Sequence, residues 1–339
     1  MNDQLGIAIL GCGYMGQIHA QQWSKIQRAK ILSVSDMDEQ RSRKLAHDFE
    51  VPHWSVDYRQ ALHQPGVDVA LVCLPTYLHA EVSIAAANHG LHVFCEKPIT
   101  LTLSDAQKMI TAAEVNHVKL GLGFMRRHSP ILDTLKNWLA SNPEARPVFY
   151  SASDVRELRP KLAMHDARMN GGPVIDMAVH LIDLWNTLYA SKAVSVSAQG
   201  LRLASGRPEV FNIADIAVDT ASIQVKYESG DVGVFTVCWS LPPKVNPAGT
   251  YDQIYSSTGL GEVVFGRNLQ EFRLTRENGM IETQAISHED MYYLQARRFE
   301  DWILDNEPFP ATGADGAAAL EVALAALQSI QTGETVNIA

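Results

Sequence analysis

"GIAILGCGYMG" occupies residues Gly6 to Gly16. Five residues of buried-strand composition run directly into Gly11, Gly13 and Gly16, spaced G-x-G-x-x-G, and a helical pattern follows from about Tyr14 to Gln27. One physical use explains all three glycines. The first permits a tight turn, the second lets backbone approach a pyrophosphate, and the third lets the helix pack closely on the strand. The N–H groups at the start of the helix then point at the phosphates. A glycine-rich turn alone is a weak signal, but here Asp36 ends the next strand pattern, twenty positions on (36 − 16). An acidic side chain at that place meets the adenosine ribose hydroxyls. Its carboxylate repels a 2′-phosphate, so NAD is favoured over NADP, although Arg41 and Arg43 nearby soften that preference. Tyr14 and Met15, within the loop, complete this set of cofactor candidates.

Outward from the loop, apolar runs alternate with helical patterns. Residues 30–36, 67–75, 92–98 and 118–125 read as strands, and residues 39–49, 79–89 and 104–116 as helices. Near-continuous apolar strands between helices imply a parallel sheet covered on both faces, with right-handed crossovers. After Gly123 the pattern changes. A helix over 129–139, a strand over 147–156 and a helix opening at Pro173 precede strand patterns at 193–203, 221–227, 232–240 and 251–258, with "SGD" (Ser229 to Asp231) as a turn. Two helices close the chain, near 290–304 and 314–330. The expected fold is α/β: a Rossmann, doubly wound parallel sheet over 1–123, then an α+β domain with a large open, mainly antiparallel sheet over 124–339. The last helices could pack back on the first domain.

The totals set bounds on the function. A chain of 339 residues with 46% hydrophobic content supports two ordinary cores. A formal net charge of −10 repels phosphate backbones and argues against nucleic acid. No apolar window reaches the length of a membrane span, and "MNDQLGIAIL" lacks the features of a cleaved signal. Cys12, Cys73, Cys95 and Cys238 form no C-x-x-C pair, which fits free thiols in a cytoplasmic setting.

In a doubly wound sheet, ligands bind beyond the carboxyl ends of the strands. Leu74, Pro75, Thr76 and His79 are therefore candidates to line a dinucleotide, although His79 reads equally as a polar residue at a helix start. Glu96 and Lys97 close another strand, and Pro98 confines Lys97 to extended backbone. The ammonium could bind or polarise a substrate hydroxyl or take part in proton transfer. On spacing alone, a solvated surface lysine is the simpler reading. In "GGPVIDMAVHLIDLW" (Gly171 to Trp185), Asp176 and His180 stand at i and i+4, with Asp183 near the same face, between apolar stripes. A histidine there can take an alcohol proton as hydride leaves, oriented by a carboxylate one turn away. Taken alone, the pair also reads as a satisfied core histidine or as two metal ligands. No cysteine-rich motif supports a metal, and the glycine loop with Lys97 favours the acid–base reading.

Three stretches, "GIAILGCGYMGQIHA", "CEKPIT" and "GGPVIDMAVHLIDLW", together resemble the Gfo/Idh/MocA oxidoreductases, and the likeness covers nearly the whole chain. "LGFMRRHSP" is similar to the inositol dehydrogenase branch. The resemblance implies that Lys97 corresponds to the family's EKP lysine, followed by a cis Pro98, and that Asp176 and His180 match its D-x-x-x-H pair. It implies metal-free hydride transfer between NAD and a secondary hydroxyl or ketone of a sugar or polyol. It also implies homodimers or homotetramers built through the C-terminal sheet. Arg126, Asp154 and His165 are further substrate candidates, and Gly171 with Gly172 could let the segment before them move. "SASDVRELRPKLAMHDARMNGG" carries no pattern that names the substrate, and the loop Cys238 to Gln253 is assigned no role. Two other functions fit the same architecture: an NAD-dependent glycoside hydrolase, and a non-catalytic dinucleotide sensor, for which Lys97 and His180 would have no use.

Overall fold

β1 (Leu5–Leu10) is buried along its whole length, as an apolar run covered on both faces requires. The computed structural model describes residues 4–245 and 251–338. The chain divides into two compact units, residues 1–128 with 290–317, and residues 129–289 with 318–339.

In the first unit, β1 is followed by α1 (Tyr14–Trp23), β2 (Ala29–Ser35), α2 (Glu39–Asp48), β3 (His53–Ser55), α3 (Tyr58–Leu62), β4 (Val69–Val72), α4 (His79–Asn88), β5 (His92–Cys95), α5 (Leu103–Val115) and β6 (Leu120–Leu122). The six strands form a parallel sheet in the order β3-β2-β1-β4-β5-β6. The order reverses between β1 and β4, and at such a switch point the loops at the carboxyl ends part to leave a crevice. β3 and α3 escape sequence reading because each is short and β3 is largely exposed.

The second unit opens with α6 (Pro130–Ser141), capped by the Ser129 hydroxyl and started by proline. β7 (Phe149–Glu157), α7 (Gly172–Asp176), α8 (Ala178–Tyr189), β8 (Ala193–Leu201), β9 (Thr220–Tyr227), β10 (Val232–Leu241), β11 (Tyr251–Ser256), β12 (Gly259–Phe265), β13 (Gln270–Arg276) and β14 (Ile281–Ser287) follow. α9 (Met291–Asp305) lies in the first unit, α10 (Gly313–Thr332) spans the division at residue 317, and β15 (Val336–Asn337) ends the chain. The sheet runs β14-β13-β12-β11-β7-β10-β9-β8-β15. Every pairing is antiparallel except β7 with β10. β12 to β14 are absent from the sequence reading because charged and polar residues interrupt their apolar pattern. α8 covers the sheet with Trp185 edge-on to Tyr150, ring centroids 6.0 Å apart.

One expectation is corrected here. The helix from Pro173 is not continuous, because the His180 N–H bonds the Met177 carbonyl at 3.1 Å, a three-residue turn that splits it into α7 and α8. Asp176 ends the first piece and His180 lies in the second, so ideal i, i+4 geometry does not apply.

In the first unit, α9 packs on α1. Trp23 meets Phe299 edge-on at 6.5 Å. Arg28 joins Glu300 at 2.6 Å, Asp301 at 3.0 Å and Asp305 at 2.6 Å. Burial raises the Glu300 carboxyl above its ordinary range, which the hydrogen bond from Arg28 opposes.

Candidate active site

The glycine loop has the shape its spacing requires. Gly11 sits at φ +96°, and a Cβ there would lie 2.4 Å from the Cys73 carbonyl oxygen. A Cβ on Gly16 would fall 2.0 Å from the Gly11 carbonyl oxygen, so only glycine lets α1 start this close to the strand. Gly13 faces open space, and no side chain caps α1 there. The first-turn N–H groups thus remain available to a diphosphate, and the loop fits NAD. Asp36, half-buried, accepts the Cys12 N–H at 2.8 Å on one oxygen and the Asp38 N–H at 2.9 Å on the other. Each oxygen keeps a lone pair for a ribose hydroxyl. Arg41 pairs with Asp38 at 3.2 Å, and Arg43 with Glu39 at 2.6 Å while stacking on Trp54, so both cations are engaged locally.

Replacing Asp36 by alanine is expected to weaken NAD binding about tenfold to a hundredfold, since hydrogen bonds to a charged group contribute roughly 1.5–3 kcal/mol. Discrimination against NADP should relax in the same titrations. An unchanged cofactor preference would remove the ribose role of Asp36.

The ends of β4 and β5 place the next candidates. Leu74, Pro75 and Thr76 follow β4, with Thr76 buried. His79 is buried, its Nδ1 2.8 Å from the Pro98 carbonyl and its Nε2 2.9 Å from the Leu74 carbonyl. It does open α4, and its neutral ring carries one N–H, so it donates to one of these two carbonyls at a time. Burial lowers its pKa, with the two backbone hydrogen bonds opposing. Glu96, expected among the cofactor contacts, is buried against His19, with Oε1 2.7 Å from Nε2, and its Oε2 accepts the Lys97 N–H at 3.3 Å. Lys97 is half-buried, and the Lys97–Pro98 bond is cis. Arg126 lies in a short turn over Met125–His128 and is buried.

In the second unit, Asp176, His180 and Asp183 are all buried. Asp183 lies close enough to Tyr227 to help raise that phenol, behind the larger effect of burial. Asp154, on β7, is fully buried and accepts the Trp239 indole N–H at 2.9 Å and a bond from Arg156. His165 is buried in a short turn, and its Nε2 accepts the Arg159 N–H at 3.1 Å. Burial lowers its pKa.

The glycine pair is no free hinge. Gly171 and Gly172 sit at φ +78° and +71°, and a Cβ on Gly172 would lie 2.4 Å from the Ala217 side chain. The segment before them is pinned by the Ala217 N–H on the His165 carbonyl at 2.8 Å. Within the loop Cys238 to Gln253, residues 246–250 lie outside the described residues.

Sequence reasoning missed His19. Its signal was present: in "GQIHA" it continues the buried stripe of α1 that holds Gly16 and Trp23. Among the described residues, no three His, Cys, Asp or Glu side chains converge as a metal-ligand set.

Residues 5–124 match the family model of the GFO/IDH/MocA oxidoreductases with an NAD-binding Rossmann fold, and residues 136–259 match the model of the GFO/IDH/MocA C-terminal domain. Myo-inositol 2-dehydrogenase of Thermotoga maritima is 29% identical over 339 residues, with 98% of each chain covered. The NAD(+)-dependent scyllo-inositol 2-dehydrogenase of Bacillus subtilis is 26% identical over 343 residues, covering 100% of this chain and 97% of the relative. The solved structure of the aldose-aldose oxidoreductase of Caulobacter crescentus, complexed with glycerol, superposes with a TM-score of 0.86 at 21% identity, over 99% of this chain and 100% of the other. That last likeness bears on the fold alone. The chain belongs to the Gfo/Idh/MocA oxidoreductases, and its first unit is their NAD-binding Rossmann fold.

Proposed function

We propose that this oxidoreductase acts on a secondary hydroxyl or ketone of a sugar or polyol of inositol type. The observation that carries the reading is the placement of Lys97. It lies two residues beyond β5, at the same carboxyl edge of the sheet from which the Gly11–Gly16 loop leaves β1. The near full-length likeness to the two inositol dehydrogenases supports the substrate class. When bound, NAD supplies the hydride acceptor.

Lys97 is assigned to the substrate oxygen, where an ammonium stabilises alkoxide character. His180 accepts the hydroxyl proton, and Asp176 orients it or holds a second hydroxyl. Arg126 is assigned to the substrate. Asp154 and His165 take an indirect share, because their described partners are Trp239, Arg156 and Arg159. The cytoplasm is the proposed location, supported by four free cysteines. A homodimer or homotetramer through the second sheet is supported by Phe149, Tyr251, Tyr255 and Val264, apolar and exposed on β7, β11 and β12.

A screen of inositols, aldoses and anhydrosugars with NAD, read by NADH absorbance, tests the proposal. Turnover of a polyol is the expected result. Cleavage of an aryl glycoside without net NADH would favour a hydrolase. Binding without turnover in either direction would favour a sensor.

A further inference from the structure

We propose that His19 and His79 are positioning residues for Lys97, gripping the residues on either side of it. The inference rests on the assignment of Lys97 to the substrate oxygen and adds how that lysine is held. Lys97 lies beyond the end of β5, where strand hydrogen bonds no longer fix the backbone. Its side chain has four rotatable bonds, and loop-borne groups place reacting atoms less accurately than groups on rigid elements.

Two helices correct this. From α1, His19 Nε2 stands 2.7 Å from Glu96 Oε1, with both side chains buried. From α4, His79 Nδ1 stands 2.8 Å from the Pro98 carbonyl oxygen. The second Glu96 oxygen accepts the N–H of Lys97 itself at 3.3 Å. Gly123 closes over the same carboxylate, where a Cβ would come within 2.9 Å of it. Residues 96, 97 and 98 are thus each tied, two of them by imidazoles from separate helices.

The chemistry of the groups explains why the grip is polar. A carboxylate and a carbonyl only accept, so His19 Nε2 and His79 Nδ1 must carry protons to bond them. A buried Glu–His pair is a poor device for stability, because desolvating it offsets most of its attraction and an apolar pair would serve as well. Its gain is geometric: it fixes direction. Misplacing a reacting group by about 1 Å can lower the rate a hundredfold. The Nε2 of the same ring stands 2.9 Å from the Leu74 carbonyl oxygen, but a neutral ring whose proton is on Nδ1 donates nothing there.

The test compares His19→Leu, which removes the bond, with His19→Gln, whose amide nitrogen can replace Nε2, and His79→Leu with His79→Asn, whose amide can replace Nδ1. Each is measured for kcat, KM, NAD affinity and thermal midpoint, alone and combined with Lys97→Met. The leucine variants should lose about tenfold to a hundredfold in kcat, with NAD affinity little changed, and the amide variants should recover most of it. In the Lys97→Met background, His19→Leu should have little further effect, because residues acting through one group are not additive. A loss of equal size in that background, or amide variants no better than leucine, overturns the proposal. If Lys97→Met is too slow for the cycle, the amide-to-leucine comparison among folded variants decides. Full activity in Lys97→Met alone would instead overturn the assignment of Lys97, a distinguishable failure.

Discussion

His180→Ala is expected to lower kcat by ~10²-fold or more, the scale of losing a positioned general base. NAD affinity should hold, because the loop and Asp36 assigned to the dinucleotide lie in the other unit of the chain. His180 is only 5% exposed, on a helix that is otherwise mostly apolar core. Such a site keeps a base away from bulk water, where its proton would exchange without coupling to the reaction. KM should move less than kcat, since the base acts mainly in the transition state. The two alternatives separate cleanly. A core histidine would show itself as a lowered thermal midpoint with normal kcat in the folded fraction. A cofactor contact would show itself as weakened NAD binding.

The second large effect is acid lability that begins far above the carboxylate range. Burial pushes His79 below its ordinary value of 6.5 and His128 well below it. His92 and His165 move the same way, also chiefly through burial. The unfolded chain therefore takes up protons below about pH 6.5 that the folded chain refuses, so stability falls as pH falls through that window. Each fully resistant ring contributes at most about 1.36 kcal/mol per pH unit. His128 alone would remove up to roughly 2 kcal/mol between about pH 6.5 and pH 5, and His79 adds to the loss in the same direction. Glu300 works in the opposite sense, because its raised carboxyl binds a proton earlier in the folded state, but only as the carboxylate range is approached.

His128 offers a direct check. Neither ring nitrogen has a hydrogen-bond partner among the described residues, and the ring lies 5.1 Å from that of Phe309. His128→Leu should flatten the dependence of the denaturation midpoint on pH and raise stability at pH 5. An unchanged slope would mean that His128 takes up its proton in the folded state.

Much of this was legible in the sequence because strong local constraints leave few choices. The three glycines of residues 11–16 and Asp36 can be read because a tight turn, a close approach and a ribose contact each demand one residue type. The parallel sheet followed from apolar runs between helices, and the second sheet from alternation between turns. What stayed hidden depends on partners remote in sequence. The contact of Glu96 with His19, 77 positions away, has no local signature in the sequence. His79 does start a helix, but the Pro98 carbonyl beside its ring belongs to another loop and is not legible from spacing. Met177 hid the break between α7 and α8, since one tightened turn leaves the apolar pattern intact. β12 to β14 carry charges on an open sheet, where burial no longer writes a clear period of two.

The central claim is that hydride leaves a carbinol carbon of a sugar or polyol and arrives on NAD. The measurement that meets it most directly uses inositols and aldoses deuterated on carbon, incubated with the protein and NAD. The nucleotide is then recovered and its mass determined. Deuterium in the reduced nicotinamide, in step with formation of the ketone or lactone, is the predicted result. Substrate consumed with no deuterium in the nucleotide, or no turnover of any polyol or sugar by folded protein that binds NAD, would contradict it.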